Sequence, residues 1–363
     1  MTCRAAPESH PAAPRRIPCP AACARAPYRW PKRHRGFAEG DLAPCRARHR
    51  PQGFAVSAWA RALLLGTLAL TTAAAPAVEV RFEKVAEGVY AFVGDKGGRT
   101  VANEGLNANL GLVVTPAGAV LVDSGATYAG ARQIHDAVKA VTQQPVKWVF
   151  NTGGQDHRWL GNGYFAGQGA EVIAHANGRA DMHNRGNDQL QALKSTLGPK
   201  ADGTVPTLPT RWLAGNDERL ELGGVVFEFR HRGGAHTPGD TLLWLPQKNV
   251  LFSGDAVYVE RLLGVLPVSN TRRWLDTFAV IEQLNPAVLV PGHGGVSNVA
   301  TARAHTKAYL LALRAHMKRA VDDGVDMSAA VKSFDAAAFM PLLNADELMP
   351  GNASRTYLEL ERE

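Results

Sequence analysis

Between residues 119 and 294 one arrangement recurs: a short apolar run followed at once by a glycine-flanked turn that carries Asp or His. Ala119–Val122 leads into Asp123-Ser124-Gly125, and Val146–Phe150 into Asn151-Thr152-Gly153-Gly154-Gln155-Asp156-His157. Val250–Phe252 runs on to Gly254-Asp255, and Ala287–Val290 to Pro291-Gly292-His293-Gly294. A further turn, Gly234-Ala235-His236-Thr237-Pro238-Gly239-Asp240, precedes an apolar run at 241–245. Short apolar runs bounded by turn residues read as buried strands. Alternating strand–helix proteins place their sites just past the ends of such strands.

The remaining pattern fits the same reading. Residues 78–83 and 88–93 alternate apolar and polar side chains, as a hairpin does, and Leu110–Thr115 is another short strand. Helical spacing follows at 128–141, a short strand at Glu171–Ala174, a polar helix to about 194 and an exposed loop at 195–207. Strands recur at 217–222, 225–231, 241–245 and 249–253, with a helix at 272–284 and a mostly helical remainder from about 297. Strands and helices alternate in two halves, each opening with strands, which predicts α/β layers with helices covering sheets.

The basic balance belongs to one end of the chain. Residues 1–61 hold 12 of the 40 Lys and Arg and three of the 33 acids, so the remainder has 28 bases against 30 acids, a net −2. The charge is therefore no sign of nucleic-acid binding by the folded part. Cys3, Cys19, Cys23 and Cys45 all precede residue 50, so the rest of the chain has neither disulfides nor thiolate ligands. After Arg61, residues 62–75 form a short apolar run ending in Ala75-Pro76-Ala77, the pattern of a secretory signal. It is shorter than the roughly 20 residues a membrane span needs. The reading is an upstream segment at 1–61, disordered or lying before the true start, a signal at 62–77, and a mature chain from Val78 in the periplasm or outside the cell. No stable membrane span is expected in that mature chain.

Imidazoles and carboxylates on separate strand ends can converge on one divalent cation, and zinc accepts His nitrogen and Asp oxygen at about 2.0–2.2 Å. Each His alone reads as structural; several glycine-flanked His and Asp turns together point to a metal site. His175, His183, His231, His305 and His316 have no partner motif, and the last four lie in polar stretches that read as solvated.

The ordered set resembles the metallo-β-lactamase superfamily, whose landmarks are an Asp-[Ser/Thr]-Gly turn, a His-x-His-x-Asp-His segment, a Gly-x-His-Thr-Pro-Gly turn, a Gly-Asp and a final Gly-His. The match runs from about residue 84 to 300 in the right order. It implies a four-layer αββα sandwich at 78–300, with 301–363 as a helical C-terminal extension of the same domain. Asn352–Glu361 resembles, over ten residues, the tail of periplasmic members associated with sulfur oxidation and quinoprotein systems.

The departure lies in the second landmark. Anchored on Asp156-His157, the two leading histidines fall at Thr152 and Gly154, neither of which can replace an imidazole. The family's first metal position, which His236 would share, is thereby crippled. The second resembles Asp156, His157 and His293, with Asp255 at the place of a bridging carboxylate. The implied ligands are Asp156, His157, His236, Asp255 and His293, with Asp156 and His236 as catalytic candidates and Asp123 as a structural carboxylate. Arg158 and Trp159 suit either substrate contact or packing at a helix start. The expectation is an exported hydrolase with one zinc, or iron or manganese in its place, acting on a small thioester, ester or lactam. Two alternatives stay open: a catalytically inactive binding protein on the same fold, and an iron-dependent thiol dioxygenase.

Overall fold

The computed structural model describes residues 78–363. The upstream segment, the signal and all four cysteines lie outside the described residues. The first sheet has seven strands in chain order: β1 (Glu83–Ala86), β2 (Val89–Phe92), β3 (Leu110–Thr115), β4 (Gly118–Val122), β5 (Val146–Phe150), β6 (Glu171–His175) and β7 (Arg211–Leu213). Pairing is antiparallel from β1 to β4 and parallel from β4 to β7. The second sheet takes β8 (Asp217–Leu222), β9 (Val225–His231), β10 (Thr241–Leu245), β11 (Val250–Tyr258) and β12 (Val288–His293), antiparallel except for the β11–β12 pair.

The two sheets bury their apolar faces against each other. Val113, Val120, Val122 and Phe150 of the first meet Phe227, Phe229, Leu243, Phe252 and Val290 of the second. The Phe150 and Phe229 rings lie 4.6 Å apart across the interface. A β-carbon on Gly111 would sit 2.3 Å from the Phe252 ring, so the sheets approach this closely only with glycine there. Each fully buried side chain of this size contributes about 1.5–3 kcal/mol.

Helices cover the outer faces. Helix α1 (Tyr128–Val141) starts where the Thr127 hydroxyl accepts from Gly130 N, and its Ala131, Ile134 and Val138 stripe packs on the first sheet. The short α2 (Asp156–Trp159) and α3 (Asn162–Gly167) follow β5, and the long α4 (Arg179–Leu197) follows β6. Helix α5 (Thr271–Leu284) begins with the Asn270 side chain accepting from Arg273 N and ends at left-handed Asn285; its Trp274, Phe278 and Ile281 cover the second sheet. These layers make the αββα sandwich. The C-terminal part adds α6 (Val299–Ala302), α7 (Ala308–Asp322), α8 (Met327–Ser333) and α9 (Ala345–Leu360) to the α5 side, through Tyr309, Leu313, Met317 and Tyr357. No helix among the described residues is long and apolar enough to cross a membrane.

Three local expectations differ. The first hairpin strand lies at 83–86, because the chain turns at Glu87 and Gly88 (φ +71°) and pairs only beside that turn. Helix α4 runs through 195–197 and stops at Gly198 (φ +55°), shortening the expected loop. His231, expected in solvent, is buried against His175, their rings stacked at 3.7 Å.

Candidate metal centre

The turns that end β4, β5 and β12 meet the middle of β11 at one edge of the sandwich. Asp123, at φ +65°, follows β4; His157 lies on the single turn α2 after β5; His293 closes β12. The β11–β12 ladder shifts register between Phe252 and Tyr258, and Asp255 lies within that irregular stretch.

His157, Asp255 and His293 are buried and offer ligand atoms within 4.8 Å of one another. Nε2 of His157 lies 3.0 Å from Asp255 Oδ2, and Nε2 of His293 lies 3.2 Å from Asp255 Oδ1. The His293 tautomer follows from its other nitrogen. Nδ1 is 2.7 Å from the Asn107 carbonyl, which can only accept, so Nδ1 carries the proton. Burial also holds the His293 imidazole well below its usual range, leaving it neutral. Its Nε2 lone pair thus faces a carboxylate oxygen with no hydrogen between them, an arrangement that a cation between the two would relieve. Two imidazoles and one carboxylate suit a divalent transition metal, so the residues present fit one such ion.

Asp156 is not part of that cluster. Its carboxylate pairs with Arg99 and accepts from His157 N at 2.8 Å. Burial alone would raise its pKa, but Arg99 and His157 pull it down to about 2. Its Oδ1 is 3.3 Å from His157 Nδ1, the place of a carboxylate that orients a ligating imidazole from behind. Arg99 Nη2, which can only donate, lies 2.8 Å from the same Nδ1. His236 also stands outside the three-residue cluster. It donates from Nδ1 to the Gly264 carbonyl at 2.7 Å, with its ring 5.9 Å from the Tyr258 ring, and burial holds its pKa near 4. The Tyr258 ring in turn stacks on His293 at 4.8 Å.

The positions of the two absent histidines are filled. Thr152 donates its hydroxyl to Asp123 Oδ2 at 2.8 Å. A β-carbon on Gly154 would stand 2.7 Å from Asp181 Oδ2. Trp159 is packing: its ring is fully buried and its indole N–H donates to the Gly154 carbonyl at 3.1 Å. Arg158 is buried too, between Asp123 and Asp255. Burial would raise the Asp255 pKa, but Arg158 and His157 hold it well below the carboxylate range.

Several residues of the site carry no motif. Arg99, Asn107, Asn109 and Arg261 come from irregular stretches. Asn109 donates to the carbonyls of Pro291 and Gly294 at 2.9 and 2.7 Å and so pins the turn of His293. The run of Asn and Gly at 103–109 is the signal that marks this loop in the sequence.

The metallo-beta-lactamase superfamily model matches residues 103–293, just over half of the chain, and the chain belongs to that superfamily. Among solved structures, a metallo-beta-lactamase from Pontibacter korlensis is 23% identical, with a TM-score of 0.51, over 64% of this chain and 99% of that one. The metallo-beta-lactamase IND-7 is 22% identical, with a TM-score of 0.52, over 65% of this chain and 100% of that one. At such identities these structures share the fold. A curated relative, the 2,4-dinitroanisole O-demethylase subunit alpha of Nocardioides sp. (strain JS1661), is 24% identical over 178 residues, 48% of this chain. The chain spans about half (49%) of that relative's length.

Proposed function

We propose that the protein is a metal-dependent hydrolase holding one divalent ion at His157, His293 and Asp255, and acting on a small thioester, ester or lactam. The observation that carries this reading is the His293 Nε2 lone pair held facing Asp255 by the bond from Nδ1 to Asn107. When bound, the ion supplies Lewis acidity and lowers the pKa of water to about 7. Asp156 orients His157 from its Nδ1 side. His236, neutral at pH 7 with its Nδ1 proton committed to Gly264, presents Nε2 as a proton acceptor. The signal pattern at 62–77 supports export, with this chemistry in the periplasm or outside the cell.

Elemental analysis of protein purified without chelator tests the reading. About one zinc, manganese or iron per chain, lost in His293→Ala, is expected, followed by turnover in a screen of thioesters, lactones and an activated aryl methyl ether. The last is included because of the name of the demethylase relative. No bound metal after incubation with all three ions would leave a binding protein on a hydrolase fold. One observation favours a second reading. Two histidines and a carboxylate are also the donor set of oxygen-activating ferrous sites. Iron as the sole resident metal, with oxygen uptake on adding a thiol, would select the dioxygenase.

A further inference from the structure

Arg158 is the largest polar side chain buried without a place in the proposed chemistry. Its guanidinium donates to four oxygens. Nη1 reaches the Asn109 carbonyl at 2.8 Å and Asp123 Oδ2 at 2.9 Å. Nη2 reaches Asp255 Oδ1 at 2.6 Å and the Gly292 carbonyl at 2.8 Å. Two carboxylates and two carbonyls converging on one point are the donor set of a hard divalent cation. The cradle is closed around the side chain: a β-carbon on Gly292 would stand 2.6 Å from Nη2. The residual void lined by Asn109, Asp123, Arg158 and Pro291 is about 10 Å³, too small for a hydrated ion.

We infer that Arg158 is a permanent cation of this site: it occupies an oxygen cradle that would otherwise take a second ion, and limits the site to one exchangeable divalent metal. The inference rests on the proposed ion at His157, His293 and Asp255. Asp255 is the shared residue. Its Oδ1 accepts from Arg158 Nη2 at 2.6 Å and faces His293 Nε2 at 3.2 Å, and its Oδ2 faces His157 Nε2 at 3.0 Å, so neither oxygen is left free for a second ion. A guanidinium is fixed to the chain and keeps its charge at every working pH, so this half of the charge balance never dissociates. Arg158 is thus a positioning residue, acting on the metal through Asp255.

The test counts Mn2+ equivalents by calorimetry and electron paramagnetic resonance on the chelator-stripped whole protein, its Arg158→Ala variant and an Asp123→Asn/Arg158→Ala double variant. The double variant removes one charge of each sign and guards against misfolding of the first. Each folded variant, verified by near-ultraviolet circular dichroism, is expected to take up one equivalent more than the parent. Methylguanidinium at millimolar concentration is expected to displace that extra ion from Arg158→Ala and none from the parent. An unchanged count in a folded variant, an extra ion that methylguanidinium leaves in place, or two equivalents in the parent would each overturn the inference. A parent that binds no ion would instead sink the hydrolase reading, while the difference between variant and parent still reports on Arg158.

Discussion

The Arg158 guanidinium and the Asp255 carboxylate meet at 2.6 Å with both side chains 1% exposed, so this chain keeps a charged pair where strand β11 passes the turn after β5. Lysine keeps the charge but is a point donor on a flexible stem, without the planar fork that serves four oxygens. Arg158→Lys therefore leaves buried acceptors unmatched, at about 1–3 kcal/mol each. We expect a loss of about 2–4 kcal/mol in urea unfolding; a loss below about 0.5 kcal/mol would show that the four contacts are not jointly made.

Restoring a motif histidine should fail. The Asp181 carboxylate, held by Arg185 Nη2 at 2.7 Å, occupies the space beside Gly154. Gly154→His forces that ion pair aside, and overpacking of this kind costs about 1–3 kcal/mol. The expected result is a lower melting temperature and no additional bound zinc. A second zinc in Gly154→His alone would mean that the first family position is only vacant, not filled.

The landmarks that named the family were legible because each is a local necessity: a strand end, a glycine turn and a ligand side chain in sequence. What filled the gaps was not. Asp181 lies 27 residues beyond Gly154, the glycine it faces, and only the tertiary fold brings it there. Arg158 read as suited to substrate contact or helix-start packing, because its four acceptors come from the residue before β3, the turn after β4, β11 and β12. The same limit applies to β7, whose three residues, Arg211–Leu213, carry too little pattern to be seen before β6 pairs with them. The motif puts Asp156 among the ligands, and in the structure its carboxylate pairs with Arg99 and lies 3.3 Å from His157 Nδ1.

That placement of Asp156 has a measurable consequence. A carboxylate that orients a ligating histidine typically matters about 10–100-fold in metal affinity, whereas removing a ligand abolishes binding. Asp156→Asn is therefore expected to weaken zinc by about 10–100-fold while keeping one equivalent at saturation. Complete loss of binding in a folded Asp156→Asn protein would make Asp156 a direct ligand.

The C-terminal helix reaches the site through Asn352. Its Oδ1 accepts from Val265 N at 2.7 Å, and its Nδ2 donates to the Leu263 carbonyl at 2.8 Å. Gly264 between them receives the His236 bond. Asn352→Leu leaves two buried backbone groups unpaired, at about 1–3 kcal/mol each. Turnover is expected to fall with metal content unchanged, since His157, His293 and Asp255 are untouched. Loss of metal in that variant would tie the tail to the ligands themselves.

Acid sensitivity should trace to the stacked histidines. Burial, reinforced by His175 alongside, lowers the His231 pKa from 6.5 to about 4. Between those values the unfolded chain binds a proton that the folded protein rejects, so this contribution is complete above pH 6.5 and lost as pH falls towards 4. Asp240 runs the other way. Burial and the Asp255 charge raise its pKa from 3.8 to about 8, so its contribution is lost as pH rises through that range. The two slopes oppose each other between pH 4 and 6.5, and removing one exposes the other. In His231→Gln, the urea midpoint is expected to fall less steeply than in the parent as pH drops from 6.5 to 4. Parallel pH profiles for the two proteins would show that His231 does not resist protonation in the fold.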